Sequence, residues 1–278
     1  HHTRARAYYE KKMGLCVSKP MESSTESTKT TTRNTKSKFT KSNSSVVQDP
    51  RSHKITRVNG ASIKSLGNAL FFPDKAMPCK SITVPNFVCT RGTACEYAHA
   101  QTNLTFFLDC LNSAEFSLDV CIFQLTCNEI AEAVTNAVKR GVRVRIITDA
   151  NNVDSNGSDI RRLNELGSPN KGFHYNHKMG IQIRCDERVG SQECRTKPHM
   201  HHKFCIIDCG QSKKDYTSNT KLMNGSFNWT RQAVLENQDN VMVLEGSVNF
   251  PMINAYQQSF NMMWSKYERF VLPRAGSS

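Results

Sequence analysis

From residue 103 to residue 267 the chain alternates short apolar runs with amphipathic stretches, and that alternation constrains its fold more than any other feature. Residues 103 to 111 have helical spacing. "SLDVCIFQL" reads as a buried strand. "NEIAEAVTNAVKRG" reads as a helix with Asn128 near its N-cap and Gly141 as its stop. "VRVRIITD" is a strand, "GSDIRRLNELG" a helix and "MGIQIR" a short strand. "KFCIID" is a further strand, "GSFNWTRQAVLE" a turn entering a helix, "NVMVLE" a strand, and "SVNFPMINAYQQSFNMMWSKY" a closing helix. Strands that alternate with helices predict an α/β fold with a mixed, mainly parallel sheet.

Outside this region the composition changes. Residues 21 to 58 are rich in Ser, Thr, Lys and Asn and poor in large apolar side chains. Such a stretch cannot offset the entropy of ordering, so residues 1–60 are expected to be a disordered basic tail, residues 61–272 the folded domain, and residues 273–278 a second tail. The net charge of +13 points to an anionic partner, but about +9 of it lies in residues 1 to 60. The 11 cysteines are odd in number and several lie in apolar runs, which suggests buried thiols in a reducing compartment. No apolar run approaches the ~18 residues of a membrane span, and no secretory signal is visible. Met13-Gly14-Leu15-Cys16-Val17-Ser18 matches the N-myristoylation pattern, with Gly14 as acceptor and Cys16 as a palmitoylation candidate, provided that translation starts at Met13. A basic tail after an acyl chain would hold the protein at a membrane surface.

The segment "HMHHKFCIID", His199 to Asp208, admits three readings: a metal site, a basic surface patch, or a nucleophile with a phosphate clamp. In extended backbone, residues i and i+2 share a face, so His201 and Lys203 project together, followed by Cys205 and Ile207. Asp208 has the opposite parity and is expected to fix the turn at the strand end. His202 faces away from the pair, and His199 and His202 read as spectators or groove lining.

His201, Lys203 and Asp208, followed by Gly225-Ser226-Phe227-Asn228, resemble the H-x-K-x4-D and G-S-x-N signature of the phospholipase D superfamily. The resemblance implies a phospholipase D-like α/β/α sandwich carrying one such motif per chain. A neutral imidazole can attack a negatively charged phosphodiester and form a phosphohistidine, which divides one hard step into two. Lys203, Ser226 and Asn228 are suited to donating to the phosphoryl oxygens as charge builds. A second imidazole must protonate the leaving oxygen. The resemblance therefore implies a homodimer, with His201 of one chain as nucleophile and His201 of the other as acid. The superfamily places a Glu after the GSxN segment to orient the nucleophile. Here the matching position is Asp239, one carbon shorter, with Glu236 as the alternative.

Cys79, Cys89, Cys95 and His99 form a second constellation, spaced C-x9-C-x5-C-x3-H. Three thiolates and an imidazole suit a closed structural zinc site in a small insertion, residues 79–99. The competing reading is free core cysteines beside a surface histidine. Phe87 and Tyr97 beside Arg91 also have the look of a finger that stacks on single-stranded RNA.

Together with "LFFPD" (Leu70 to Asp74), these motifs resemble the Zucchini or mitochondrial cardiolipin hydrolase family over about residues 66 to 270. Residues 167 to 198 form a longer loop than is usual there. That family implies either endonucleolytic cutting of single-stranded RNA in piRNA biogenesis or hydrolysis of cardiolipin, an anionic phospholipid, to phosphatidic acid. No metal is needed for the chemistry itself. The finger and the mildly basic body place RNA first, and an inactive RNA-binding scaffold is the reading from another class. The family resemblance further implies the mitochondrial outer membrane.

Overall fold

In the computed structural model the described residues are 57–58, 61–62, 67–167, 180–187, 198–210, 213–217 and 219–270. Gly14 and Cys16 lie outside them, as does most of the tail and of the 167–198 loop. Arg57–Val58 (β1) pairs with Ala61–Ser62 (β2).

The main sheet has eight strands: β3 (Gly67–Phe71), β4 (Ser117–Ile122), β5 (Arg143–Thr148), β6 (Ile181–Cys185), β7 (Lys203–Ile207), β8 (Lys221–Gly225), β9 (Asn240–Glu245) and β10 (Glu268–Arg269). Their order is β10-β6-β5-β4-β7-β8-β9-β3. Helices α1 (Lys80–Thr83), α2 (Asn103–Asn112), α3 (Asn128–Lys139), α4 (Ile160–Glu165), α5 (Arg231–Leu235) and α6 (Phe250–Lys266) complete the fold.

Strand alternation divides the side chains between two cores. Leu118, Val120, Ile122, Val144 and Ile146 face α2 and α3, where Leu104, Phe107, Leu111, Ile130, Val134 and Ala137 are buried. The i, i+4, i+7 spacing of Ile130, Val134 and Ala137 gives α3 one apolar face. On the opposite face, Cys121, Ile147, Phe204, Ile206 and Leu222 pack with Ile253 and Phe260 of α6. Helices thus cover both faces of a mixed sheet, an α/β/α sandwich. Gly141, at φ 89°, ends α3 as its position in the sequence suggests. At its start the N-cap is Cys127, with no side-chain capping bond, and Asn128 is the first helical residue.

The sheet is mixed, as expected, but not mainly parallel. Among the described residues only β4–β5 and β5–β6 pair parallel; the other five pairs are antiparallel. Parallel neighbours need a crossover element. α3 and α4 supply one for β4, β5 and β6, whereas between β8 and β9 there is only the five-residue α5. The chain therefore returns antiparallel, and β8 itself, "KLMNG", is a strand the sequence pattern does not single out, because Lys and Asn-Gly bracket its two apolar residues.

Candidate active site

The motif residues collect at one edge of the sheet, where β7 begins and β8 ends. Lys203 pairs with Ile122, the last residue of β4, and Phe204 pairs with Asn224 of β8. Lys203 Nζ lies 3.4 Å from His201 Nε2 and donates to the His201 carbonyl at 3.0 Å. An ammonium group has no lone pair, so the imidazole nitrogen facing it must be the unprotonated one. The Phe123 ring flanks both groups, 4.6 Å from the His201 ring and 5.0 Å from Lys203 Nζ. Desolvation and then the Lys203 charge hold the His201 pKa below the ordinary histidine value. Desolvation likewise lowers Lys203, against the opposing pull of Asp239. A neutral imidazole beside a cation, open to solvent on one side, can attack a phosphorus centre while the ammonium takes the phosphoryl charge.

The "GSFNWT" segment reaches the same edge. Gly225 is needed there because a Cβ would stand 1.9 Å from the Asn240 carbonyl oxygen. Phe227 and Trp229 are buried, with Phe227 stacked on Phe72 at 4.1 Å and Trp229 edge-on to Phe107 at 5.5 Å. Their alternation with Ser226 and Asn228 leaves Ser226 exposed and Asn228 half-buried. Asn228 Oδ1 is buried without a hydrogen-bond partner, a polar orphan at the motif. Ser226 Oγ donates to Asp239 Oδ1 at 2.6 Å. The sequence suggests that Asp239 orients the imidazole; within one chain its hydrogen-bond partner is Ser226 instead. The shorter Asp arm stays beside its own strand and takes the nearest hydroxyl. Glu236, the alternative, is the C-cap of α5.

Asp208 lies at the far end of β7 and is fully buried. Its carboxylate accepts from the backbone amides of Glu115 (2.8 Å), Phe116 (2.9 Å) and Ser117 (2.9 Å), and from Asn219 Nδ2 at 2.5 Å. The residue adopts φ 49°, a left-handed conformation that Asp tolerates better than most. It ties the start of β4 to the end of β7 and does not meet His201.

His199, a spectator or groove lining by sequence reasoning, is not isolated. Its Nδ1 lies 2.8 Å from Asp149 Oδ2, a carboxylate with no exposure to solvent. Its ring meets Phe123 edge-on at 5.8 Å, the same ring that flanks His201. Asp149 and His199 are 50 residues apart, so only the i, i+2, i+4 run of His199, His201 and Lys203 could have signalled a shared location. His202 packs against Phe204.

Away from this edge, the candidate ligand atoms of Cys79, Cys89, Cys95 and His99 lie within 4.8 Å of one another. In a tetrahedral zinc–sulfur site, sulfurs sit about 3.8 Å apart, so these residues can hold a metal ion with small adjustments.

Residues 107–264 match the model of a phospholipase D-like domain described as "Cardiolipin synthase, PLD-like domain". A mitochondrial cardiolipin hydrolase of Chlamydomonas reinhardtii is 39% identical over 199 residues, 72% of this chain and 73% of that protein. The chain belongs to the mitochondrial cardiolipin hydrolase family of the phospholipase D superfamily. A Xenopus tropicalis relative of the same name is 30% identical, over 74% of this chain and 80% of its own length. The human one is also 30% identical, over 72% and 67%. In the light of this membership the chain is a phosphodiester hydrolase, and the His201–Lys203 edge is the candidate site for that reaction. Among the described residues no helix is long and apolar enough to cross a membrane.

Proposed function

We propose that the protein hydrolyses an anionic phospholipid of the cardiolipin type, releasing phosphatidic acid, through a phosphohistidine at His201. The observation that carries this reading is the His201–Lys203 pair at 3.4 Å in a chain 39% identical to a protein named for cardiolipin hydrolysis. The sequence alone places single-stranded RNA first; the names of the relatives reverse that order.

In the first step His201 Nε2 attacks phosphorus, the bond to the leaving alkoxide breaks, and an imidazolium donates the proton that the alkoxide needs. In the second step water attacks the phosphohistidine and gives its proton back to the same acid–base group. Lys203 and the Asn228 Nδ2 amide group stabilise the phosphoryl oxygens, as does the Ser226 hydroxyl once it turns from Asp239. One chain carries one such histidine, so the acid is assigned to His201 of a second copy in a homodimer. Mixing wild type with excess His201→Asn protein, under conditions of subunit exchange, tests this assignment. Activity falling below the value for simple dilution supports a shared site, and strict proportionality overturns it.

Single-stranded RNA is the second reading, favoured by one feature: Phe87, Tyr97 and Arg91 line a common recess of about 370 Å³. A side-by-side assay decides between them. Purified protein and its His201→Asn variant are given cardiolipin vesicles and a labelled single-stranded RNA. Hydrolysis of the lipid by wild type alone supports the first reading; cleavage of RNA alone replaces it with the second. If neither substrate distinguishes the two proteins, the inactive scaffold stands.

The four residues Cys79, Cys89, Cys95 and His99 are assigned to a structural zinc ion with no role in the chemistry. Metal analysis of Cys89→Ser protein tests this, and an undiminished zinc content sinks it. The relatives' names point to the mitochondrion, and acylation at Gly14 and Cys16 would supply a membrane hold. Fatty-acid labelling of protein translated from Met13 checks that part, with an unlabelled Gly14 ending it.

A further inference from the structure

The loop between Cys79 and Cys89 exposes apolar side chains that the catalytic reading does not use. Ile82 is 38% exposed, Val84 42%, Phe87 44% and Val88 78%, all within seven residues. Helix α1 buries none of its residues. Contiguous apolar exposure of this kind marks a contact surface. From residue 75 to residue 95 there is no Asp or Glu, while Lys75, Lys80 and Arg91 are present and exposed. On its Phe87 side the loop has a cationic base of Lys80, Arg91 and Arg231, and on its Ile82–Val84 side a recess shared with Asp109, Glu129 and Glu132. Lys80, Arg91 and Phe87 share their recess with Arg231, three residues after Asn228, and with Glu129 as its acidic lining residue. The loop therefore stands on the same side of the domain as the "GSFNWT" segment.

Charge narrows what could cover this surface. Residues 1–56 and 168–179 and residues 188–197 each carry net positive charge, so these stretches of the chain would be repelled by the lysines and arginine. A second copy docked through the same patch would bring like charges face to face. An anionic partner remains. Three of the four tip residues are branched aliphatics, which offer a nucleobase no stacking plane but partition into the boundary between headgroups and acyl chains.

We propose that residues 80–91 dock the domain onto an anionic phospholipid bilayer, with Ile82, Val84, Phe87 and Val88 entering the interface and Lys80 and Arg91 at the lipid phosphates. The purpose of this contact rests on the lipid-hydrolase reading, since it would bring the catalytic edge to a substrate held in a membrane. The test does not rest on it. Unacylated full-length protein is floated with phosphatidylcholine vesicles with and without cardiolipin, beside an Ile82→Ser/Val84→Ser variant and a separate Val88→Ser variant. Hydrolysis of water-soluble bis-para-nitrophenyl phosphate and zinc content serve as folding checks.

The expected result is wild-type binding that requires cardiolipin and weakens with salt, falling about tenfold in the Ile82→Ser/Val84→Ser variant, the loss of apolar insertion being worth about that much. Turnover of the soluble phosphodiester stays unchanged. Equal vesicle binding by wild type and both variants overturns the proposal. So does a variant that keeps vesicle binding but loses affinity for a single-stranded oligoribonucleotide, which would assign the loop to nucleic acid, or one that changes only the oligomeric state, which would assign it to a second copy. Vesicle binding through the loop without lipid hydrolysis would leave docking standing and remove the lipid as substrate.

Discussion

His201 and Asp208, seven residues apart, stand at opposite ends of β7, and the two ends are built on opposite terms. At the Asp208 end every carboxylate lone pair is taken: three backbone amides and the Asn219 side chain converge on a fully buried group. At the His201 end the polar groups are half-served. The Lys203–His201 contact is long, Ser226 is exposed, and Asn228 Oδ1 has no partner. Saturation at one end fixes where the strand lies; at the other, the partly exposed Lys203 ammonium and His201 imidazole remain within reach of an incoming phosphodiester. The signature H-x-K-x4-D thus joins two functions that sequence adjacency makes look like one.

The largest separation of the two ends comes from His201→Asn. Turnover of a soluble phosphodiester should fall at least about a thousandfold, because no covalent intermediate can form. The thermal midpoint should not move, since the imidazole is exposed. A melting temperature that drops with activity would show that the mouth of the strand is structural too.

Asp208→Ala should do the reverse. It strands three backbone amides, that of Ser117 buried and those of Glu115 and Phe116 partly so, and leaves a left-handed residue without the bonds that hold it there, at a cost of about 3–5 kcal/mol. Denaturant titration would read this as a lower midpoint, with residual activity per folded molecule near wild type. Specific activity lost before stability is lost would place Asp208 in the chemistry and erase the contrast.

Lys203→Met is the next test, and its diagnostic is pH. His201 attacks only when neutral, and its pKa is depressed first by desolvation and then by the Lys203 charge. The acid limb of activity in the wild type therefore lies below the ordinary histidine value. Removing the cation should raise the His201 pKa, so the limb moves to higher pH, while the plateau falls roughly a hundredfold from lost phosphate stabilisation. A limb that stays fixed would mean that a different group controls it.

Much of this arrangement is legible in the amino-acid sequence. The periodicities of β4, α3, β5, β7 and β9 are strong because each element has a buried face, and strand parity alone sets Asp208 apart from His201 and Lys203. The spacing of Cys79, Cys89, Cys95 and His99 announces a cluster that the fold does assemble. What stays hidden depends on neighbours distant in sequence. β8 has too few apolar residues to stand out and is a strand only because β7 and β9 flank it. The return of β8 and β9 without a crossover makes the sheet more antiparallel than the helix–strand alternation suggests. Asp239 meets Ser226 because Ser226 bonds Asn240 through both its backbone and its hydroxyl, a proximity no local pattern records.

The smallest expected effect probes where the catalytic end stops. His199 is paired with buried Asp149 at 2.8 Å and shares the Phe123 ring with His201. A carboxylate that takes Nδ1–H leaves Nε2 as the working face of the ring. If that face positions the substrate, His199→Gln should raise KM a fewfold with kcat nearly intact, because it removes binding shared by ground and transition states. Asp149→Asn should reproduce that split by releasing the ring, although Asp149 also accepts from Asn151 N and Asn152 Nδ2, so its variant should lose some stability that His199→Gln keeps. A kcat effect in both variants would move His199 into the reaction itself. No effect in His199→Gln would return it to the surface and draw the boundary of the site at His201.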